Sequence, residues 1–182
     1  ESVSKNNDNM NEILTQICLG FTNELEKNLS QPPIGCCYLF GHCLAIGLEN
    51  AGFIAKEVTG QLILTDKHDK KVVYGNDKSK GKLVGYYHTW CVLEYDEKKI
   101  IIDPSLKYNK IGLRKVFGIK LNQNTPDTLI TYENKSWLCT YIEDERYIKS
   151  SKQNLNKINP KLIEHLVKYI TKMAVILFNK TT

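Results

Sequence analysis

Arginine is scarce in this 182-residue chain, and long apolar runs are missing. Of the 25 basic residues only Arg114 and Arg146 are arginines, so lysine carries almost all of the net charge of +5. Nucleic-acid and phosphate sites favour the bidentate arginine fork. Because the lysines are scattered and no recognition motif is present, we expect no nucleic-acid partner. No apolar run approaches the roughly 18 residues that a membrane helix needs, so we also expect no membrane span.

The composition is that of a globular protein, with 42% hydrophobic and 25% charged residues. A chain of this length can bury a full core without disulfides. Cys18 and Cys43 fall on apolar helical faces and Cys91 in a strand pattern, so we expect buried, reduced thiols. The chain begins at Glu1 without Met, which suggests a trimmed N-terminus. These features are typical of a cytoplasmic protein, or of an exported effector that acts inside another cell.

The first half of the chain is predicted to contain two helices and a sheet. Residues 1–8 are polar and predict a disordered tail, ahead of one domain over 9–182. Apolar spacing predicts an amphipathic helix over 9–29, which the prolines at 32–33 end. A second helix is predicted from Cys36 or Cys37 to Ala51, and it is apolar nearly all round, as in a helix buried at a domain centre. Four β-like runs follow, at 53–65, 71–74, 83–95 and 99–103.

The second half carries weaker signals. Residues 104–135 contain glycine and proline and are predicted to be irregular, and 137–142 form a candidate strand. Asn159 and Pro160 are typical of a helix start, so a last helix is predicted to reach about residue 178. Helices, then an antiparallel sheet, then a helix indicate an α+β domain.

Three separated motifs fit one chemistry. They are Gly-Cys-Cys at 35–37, His-Thr-Trp at 88–90 and Ile-Asp-Pro-Ser at 102–105. A Cys can act as a nucleophile, a His as its base and an Asp as the group that orients the base. A helix N-terminus and an adjacent His both favour a thiolate, and Cys37 is predicted to have both. The free N–H groups of that helix can also hold an oxyanion.

The hairpin between the second and third motifs sets a parity condition. In an antiparallel pair joined by an even-length loop, opposed positions sum to an odd number. His88 and Asp103 sum to 191, so they then share a face of the sheet. They are directly opposed if the turn centres on Tyr95 and Asp96, and diagonal if it centres on Asp96 and Glu97. An odd-length loop would place them on opposite faces and separate them.

The three motifs resemble those of the transglutaminase-like superfamily. His-Thr-Trp is similar to that family's His-Ala-Trp, and Asp-Pro-Ser to its Asp-Pro-Thr. The spacing from Cys37 to Gly52 also resembles the family pattern, although Phe53 and Ile54 replace Ile-Pro and Lys56 replaces Arg. The likeness covers the core at 35–106. Arylamine acetyltransferases share the same residue order, while leader peptidases of lasso-peptide pathways and bacterial effector proteases and deamidases are also similar.

The resemblance implies a papain-like fold, in which a buried helix carrying Cys37 packs on an antiparallel sheet carrying His88 and Asp103, with flanking N- and C-terminal helices. It implies thioester chemistry on a peptide or glutamine-type amide. The expected activity is that of a protease or amidase. The alternatives are a transglutaminase or deamidase, and a binding domain without turnover. The protein or peptide substrate and the oligomeric state stay open.

Several roles at the site also stay open at this stage. Cys36 competes with Cys37 as the nucleophile, although spacing favours Cys37. Gln31, six residues before Cys37, resembles the glutamine that donates to the oxyanion in papain, with Tyr86 or Tyr87 as other candidate donors. Trp90 shares the face of His88 in a regular strand and is predicted to be a wall of the cleft or part of the core. The Cys and His spacing fits no standard zinc site, so we expect no metal and no cofactor.

Overall fold

The structure, a computed structural model, describes the backbone of residues 2–180 and the side chains of residues 9–180. Five α-helices lie within this range: α1 Ser2–Lys27, α2 Cys37–Asn50, α3 Leu106–Phe117, α4 Ile148–Leu155 and α5 Pro160–Asn179. Seven strands accompany them: β1 Ile54–Thr65, β2 Lys71–Tyr74, β3 Lys82–Gly85, β4 His88–Tyr95, β5 Lys98–Asp103, β6 Leu129–Thr131 and β7 Cys139–Glu143. The predicted α+β class is confirmed.

The sheet is mixed rather than antiparallel throughout. Its order is β3-β2-β1-β4-β5-β6, and β7 pairs with β1. Strands β2 and β3 run parallel, which corrects the predicted antiparallel sheet. The predicted single run 83–95 is broken at Tyr86 and Tyr87, so β3 pairs with β2 and forms the edge of the sheet, while β4 lies centrally, between β1 and β5.

Helix α2 lies at the centre of the domain, as its apolar sequence predicts. It packs on β1 and β4 on one side and on α5 on the other. Leu39, Phe40, Cys43, Leu44 and Leu48 are all at most 1% exposed. Burying a side chain of this size is worth about 2 kcal/mol, so the apolar face of α2 is a main contribution to its stability.

A glycine brings α2 close to the strand that begins with His88. A Cβ placed on Gly41 would lie 2.8 Å from Cγ2 of Thr89 and 3.2 Å from backbone atoms of Trp90. No ordinary side chain fits into that space. The first turns of α2, which carry Cys37, therefore approach the start of β4 directly.

Several segments differ from their predictions, among them the short strand β6, which lies in the segment predicted to be irregular. The first helix begins at Ser2, so the backbone of the described part of the predicted tail, 2–8, is helical. Extending an existing helix adds one hydrogen bond per residue and does not need a new nucleus. Glu1 and residues 181–182 lie outside the described residues.

Helices α3 and α4 were not predicted. Gly112 and the polar residues around it weaken the helical pattern of α3. The helix forms because Leu106 and Leu113 are buried against the sheet and Tyr108 reaches the core around α2. Helix α4 is polar apart from its ends; its buried Ser151 lies 3.0 Å from the hydroxyl of Thr89 in β4, and Leu155 packs against the core.

Candidate functional site

The hairpin of β4 and β5 satisfies the parity condition. Its register pairs Cys91 with Ile102 and Tyr95 with Lys98, so opposed positions sum to 193. The two-residue turn is Asp96 and Glu97, both with positive φ. Such φ values belong to the type I′ turns that suit tight hairpins. His88 and Asp103 therefore lie diagonally on one face, which confirms the prediction for a turn centred on these two residues.

The imidazole of His88 is hydrogen-bonded to the carboxylate of Asp103. Nε2 of His88 lies 2.7 Å from Oδ2 of Asp103, and both side chains are 1% exposed. An ionised carboxylate only accepts hydrogen bonds, so Nε2 carries the proton and donates it. This tautomer leaves Nδ1 as the ring nitrogen available for acid–base work.

Nδ1 of His88 faces a different environment. It is buried and makes no hydrogen bond of ordinary geometry with any described residue. Burial lowers the pKa of His88, but the charge and hydrogen bond of Asp103 and the nearby Cys37 thiol outweigh it and raise the pKa to about 10. Cys37 and His88 line the same cleft, so the thiol lies on the side of the site that Asp103 leaves open.

Cys37 lies at the first helical position of α2. Gly35, with a φ of 75°, turns the chain after the two prolines, and Cys36 takes the N-cap position without a side-chain cap. The first backbone bonds of the helix run from Leu39 and Phe40 to the carbonyl of Cys36. The N–H groups of Cys37 and of residue 38 are therefore not used within the helix, as expected at a helix N-terminus.

The neighbouring Cys36 points elsewhere. Its thiol lies 3.7 Å from the carbonyl oxygen of Ile34 and 3.9 Å from the hydroxyl of Tyr38. Burial raises the pKa of Cys36, as it does for the deeper thiols Cys43 and Cys139, whose pKa values reach about 12. Of the two adjacent cysteines, only Cys37 is among the groups that raise the pKa of His88. All six cysteines are free thiols.

Asp103 accepts four hydrogen bonds. His88 and the hydroxyl of Tyr141 donate to Oδ2, the latter at 2.7 Å. The backbone N–H and the hydroxyl of Ser105 donate to Oδ1 at 3.0 and 2.5 Å. Burial raises the pKa of Asp103, but the charge of His88 and these hydrogen bonds outweigh it and lower the pKa. The carboxylate therefore stays ionised although it is buried.

Sequence reasoning did not find the roles of Ser105 and Tyr141. Ser105 belongs to the Asp-Pro-Ser motif, and its position two residues after Asp103 is typical of a local turn contact, so a signal was present. Tyr141 comes from β7, which lies 38 residues away and outside the matched core. No local pattern links it to Asp103.

A cleft of about 360 Å³ opens in front of Cys37 and His88. Its walls are formed by residues 33–37, by the ends of β2 and β3, by the turn before β4, and by one face of α3. They are mainly apolar and aromatic and include Tyr74, Tyr87, Tyr108, Val116 and Phe117. Burial raises the pKa of Tyr74 to about 12, and its ring lines the same cleft as Cys37.

Two predicted site residues lie outside this cleft. Gln31 is exposed and is not among the lining residues, because the chain turns at the prolines and the N–H of Ile34 bonds to the carbonyl of Pro32. Trp90 is buried behind His88, with ring centroids 6.1 Å apart, and it lines a separate cavity with Lys56 and Tyr141. The structure therefore places neither residue in the wall of this cleft, and Trp90 lies in the core, which is the other position predicted for it.

Tyr86 and Tyr87 differ in their placement, although both line the cleft. Tyr86 is 89% exposed. The hydroxyl of Tyr87 is held at 2.5 Å by the amide of Asn154, which belongs to α4. Helix α4 thereby fixes one wall of the cleft.

No cluster of three or more His, Cys, Asp or Glu side chains able to hold a metal occurs in the described part of the chain. No described helix is both long enough and apolar enough to cross a membrane. No protein-family model matches the sequence, and no curated protein or solved structure shows a significant match.

Proposed function

We propose that this protein is a cysteine-dependent amide hydrolase or acyltransferase with the papain-like fold of the transglutaminase-like superfamily. One observation carries the proposal. The His88 ring donates from Nε2 to a buried, ionised Asp103, its Nδ1 is left without a partner, and Cys37 at the start of a helix lines the same cleft as His88 and helps to raise its pKa. A nucleophile, a base and a group that orients the base are the parts that acyl transfer through a cysteine requires.

The first half of the reaction forms a thioester. The cationic imidazole of His88 favours the thiolate of Cys37 through charge. The thiolate attacks the carbonyl carbon of the amide, and the carbonyl oxygen takes the negative charge. His88 then gives the Nδ1 proton to the leaving nitrogen, so that the C–N bond breaks and an amine departs. Asp103 keeps the imidazole in the tautomer and orientation that this transfer needs.

The second half returns the enzyme to its starting state. With the amine gone, neutral His88 takes a proton at Nδ1 from water, and the resulting hydroxide attacks the thioester carbonyl. The C–S bond breaks, the acid is released and the Cys37 thiolate is restored beside the cationic imidazole. If an amine replaces water, the same steps form a new amide.

The developing oxyanion is assigned to backbone donors. The unused N–H groups of Cys37 and residue 38 lie at the start of α2, where the helix dipole also favours negative charge. Gln31 plays no part in this assignment because it lies outside the cleft.

The walls of the cleft indicate the kind of substrate. A volume of about 360 Å³ with aromatic and aliphatic walls accommodates a large apolar side chain of a peptide or protein. We therefore assign a protein or peptide substrate with such a residue next to the reacting amide, and proteolysis or amide hydrolysis as the outcome with water.

Selective alkylation tests the proposal. A free thiol is only about 0.3% ionised at pH 6, so ordinary cysteines react slowly with iodoacetamide there. We expect fast modification confined to Cys37, located by peptide mapping, and its loss in His88→Ala.

A second experiment identifies the reaction. Candidate proteins are incubated with the enzyme, and intact mass distinguishes cleavage, deamidation and crosslinking. In the alkylation experiment, uniformly slow modification of all six cysteines by iodoacetamide would contradict the proposal and favour a binding domain.

A further inference from the structure

Tyr141 supports the site from outside the matched core. It lies in β7, opposite Leu62 of β1, and its backbone N–H donates to the carbonyl of Asn134 at 2.7 Å. Its ring packs edge-on against Trp90 at a centroid distance of 5.0 Å. The side chain is 2% exposed, so both its ring and its hydroxyl are held inside the domain.

The hydroxyl of Tyr141 and the imidazole of His88 share one oxygen. Both donate to Oδ2 of Asp103 at 2.7 Å, while the backbone N–H and the hydroxyl of Ser105 donate to Oδ1. Donors on both oxygens fix the plane of the carboxylate, and that plane sets the direction in which the His88 ring is held. Burial and the charge of Asp103 raise the pKa of Tyr141 well above its usual value, so the hydroxyl keeps its proton.

We infer that Tyr141 is a positioning residue for the proposed reaction: its hydroxyl holds Asp103 so that Nδ1 of His88 stays turned to Cys37. This inference rests on the proposed function. Phenylalanine at position 141 keeps the packing on Trp90 but removes the donor. The carboxylate then keeps one donor on Oδ2 and has lost a hydrogen bond to a charged group in a buried site, which is among the stronger hydrogen bonds in proteins.

Two substrate-free measurements test this role. The first is ¹⁵N NMR of the histidines, which number four in this chain, with His88 assigned by its alanine variant. In Tyr141→Phe we expect the acid-side inflection of the His88 signals, which reports protonation of Asp103, to move up by about one pH unit. The second is alkylation of Cys37 at about pH 6, which we expect to slow about tenfold.

Tyr95→Phe is the matched control. Tyr95 lies at the far end of β4, opposite Lys98, and is 40% exposed. We expect its substitution to leave both measurements unchanged. If Tyr141→Phe fails to fold, 3-fluorotyrosine at position 141 keeps every contact and makes the hydroxyl a stronger donor. The inflection should then move to lower pH, and a shift in the other direction or no shift overturns the role.

The two failures are distinguishable. A wild-type alkylation rate in His88→Ala overturns the proposed function itself. If His88→Ala is alkylated slowly but Tyr141→Phe is alkylated at the wild-type rate and its His88 inflection does not move, only the role of Tyr141 is overturned. A raised inflection together with slower alkylation supports it.

Discussion

The two sides of the His88 ring lie in opposite surroundings. Behind the ring, Asp103 accepts four hydrogen bonds, and Trp90 and Tyr141 pack around it without contact with solvent. In front, Nδ1 is unpaired, Cys37 is only half-buried, and an apolar cleft opens. The buried side is saturated and can only hold the ring, whereas the open side retains unused hydrogen-bonding capacity for a substrate. This division is what a preorganised site requires.

The largest expected effect is on the open side of His88, where removal of the nucleophile should abolish most of the amide hydrolysis. We expect Cys37→Ala to lower amide hydrolysis by about a thousandfold or more, because no other described thiol interacts with His88. Cys36→Ala is the matched control, since its thiol points to Ile34 and Tyr38. It should retain activity within about threefold. Steady-state kinetics with a peptide substrate measure both, and equal losses would contradict the assignment of the nucleophile.

Asp103→Asn should disrupt the hydrogen bonds on the buried side of His88 and lower both activity and stability. The amide of asparagine places a donor where His88 or Tyr141 already donates. We expect turnover to fall by about a hundredfold or more and the free energy of unfolding to fall by about 3 kcal/mol. Asp127→Asn is a control of the same chemistry, because Asp127 pairs with Lys110 at the exposed surface. It should cost at most about 0.5 kcal/mol in urea denaturation.

The pH dependence of stability sharpens the comparison. The lowered pKa of Asp103 contributes stability that is present above about pH 3.9 and is lost as the pH falls through the folded pKa. The raised pKa of His88 contributes stability that is fully present below about pH 6.5 and is lost as the pH rises through about 10. The difference in unfolding free energy between wild type and Asp103→Asn should therefore be largest between about pH 3.9 and pH 6.5, where both contributions are fully present. A gap that does not vary with pH would refute the coupling.

Gln31 lies outside the open side of the site, so Gln31→Ala should have the smallest effect on activity. The side chain is exposed and lies outside the cleft, so we expect activity and stability close to wild type, with kcat within about twofold. A loss of tenfold or more in kcat at unchanged stability would restore its predicted role as an oxyanion donor.

The buried side also shows how far sequence reasoning reached. His88 and Asp103 were paired by parity, and the hairpin of the structure satisfies that condition. Tyr141 was missed because β7 reaches the site only through its pairing with β1, a non-local contact that leaves no mark near Asp103. The open side was predicted less well. Six-residue spacing suggested Gln31, but Gln31 is exposed and does not line the cleft.

The helices give the same lesson. Helix α2 was predicted because eight buried residues make its sequence apolar nearly all round. Helix α3 was missed because the glycines and the proline of residues 104–135 suggested an irregular segment, whereas the burial of Leu106 and Leu113 stabilises a helix there. Local pattern predicts an element when the core-facing residues dominate its composition. Otherwise tertiary packing decides.

The sequence by itself determined the α+β class, a buried helix that begins at Cys36 or Cys37, and, for a turn of even length, the shared face of His88 and Asp103. Each of these follows from a periodicity of the local backbone, 3.6 residues in a helix and two in a strand. Only the tertiary structure decided which cysteine meets His88, which donors hold Asp103, and where Trp90 and Gln31 lie. These depend on contacts between segments far apart in the chain, and no local period encodes them.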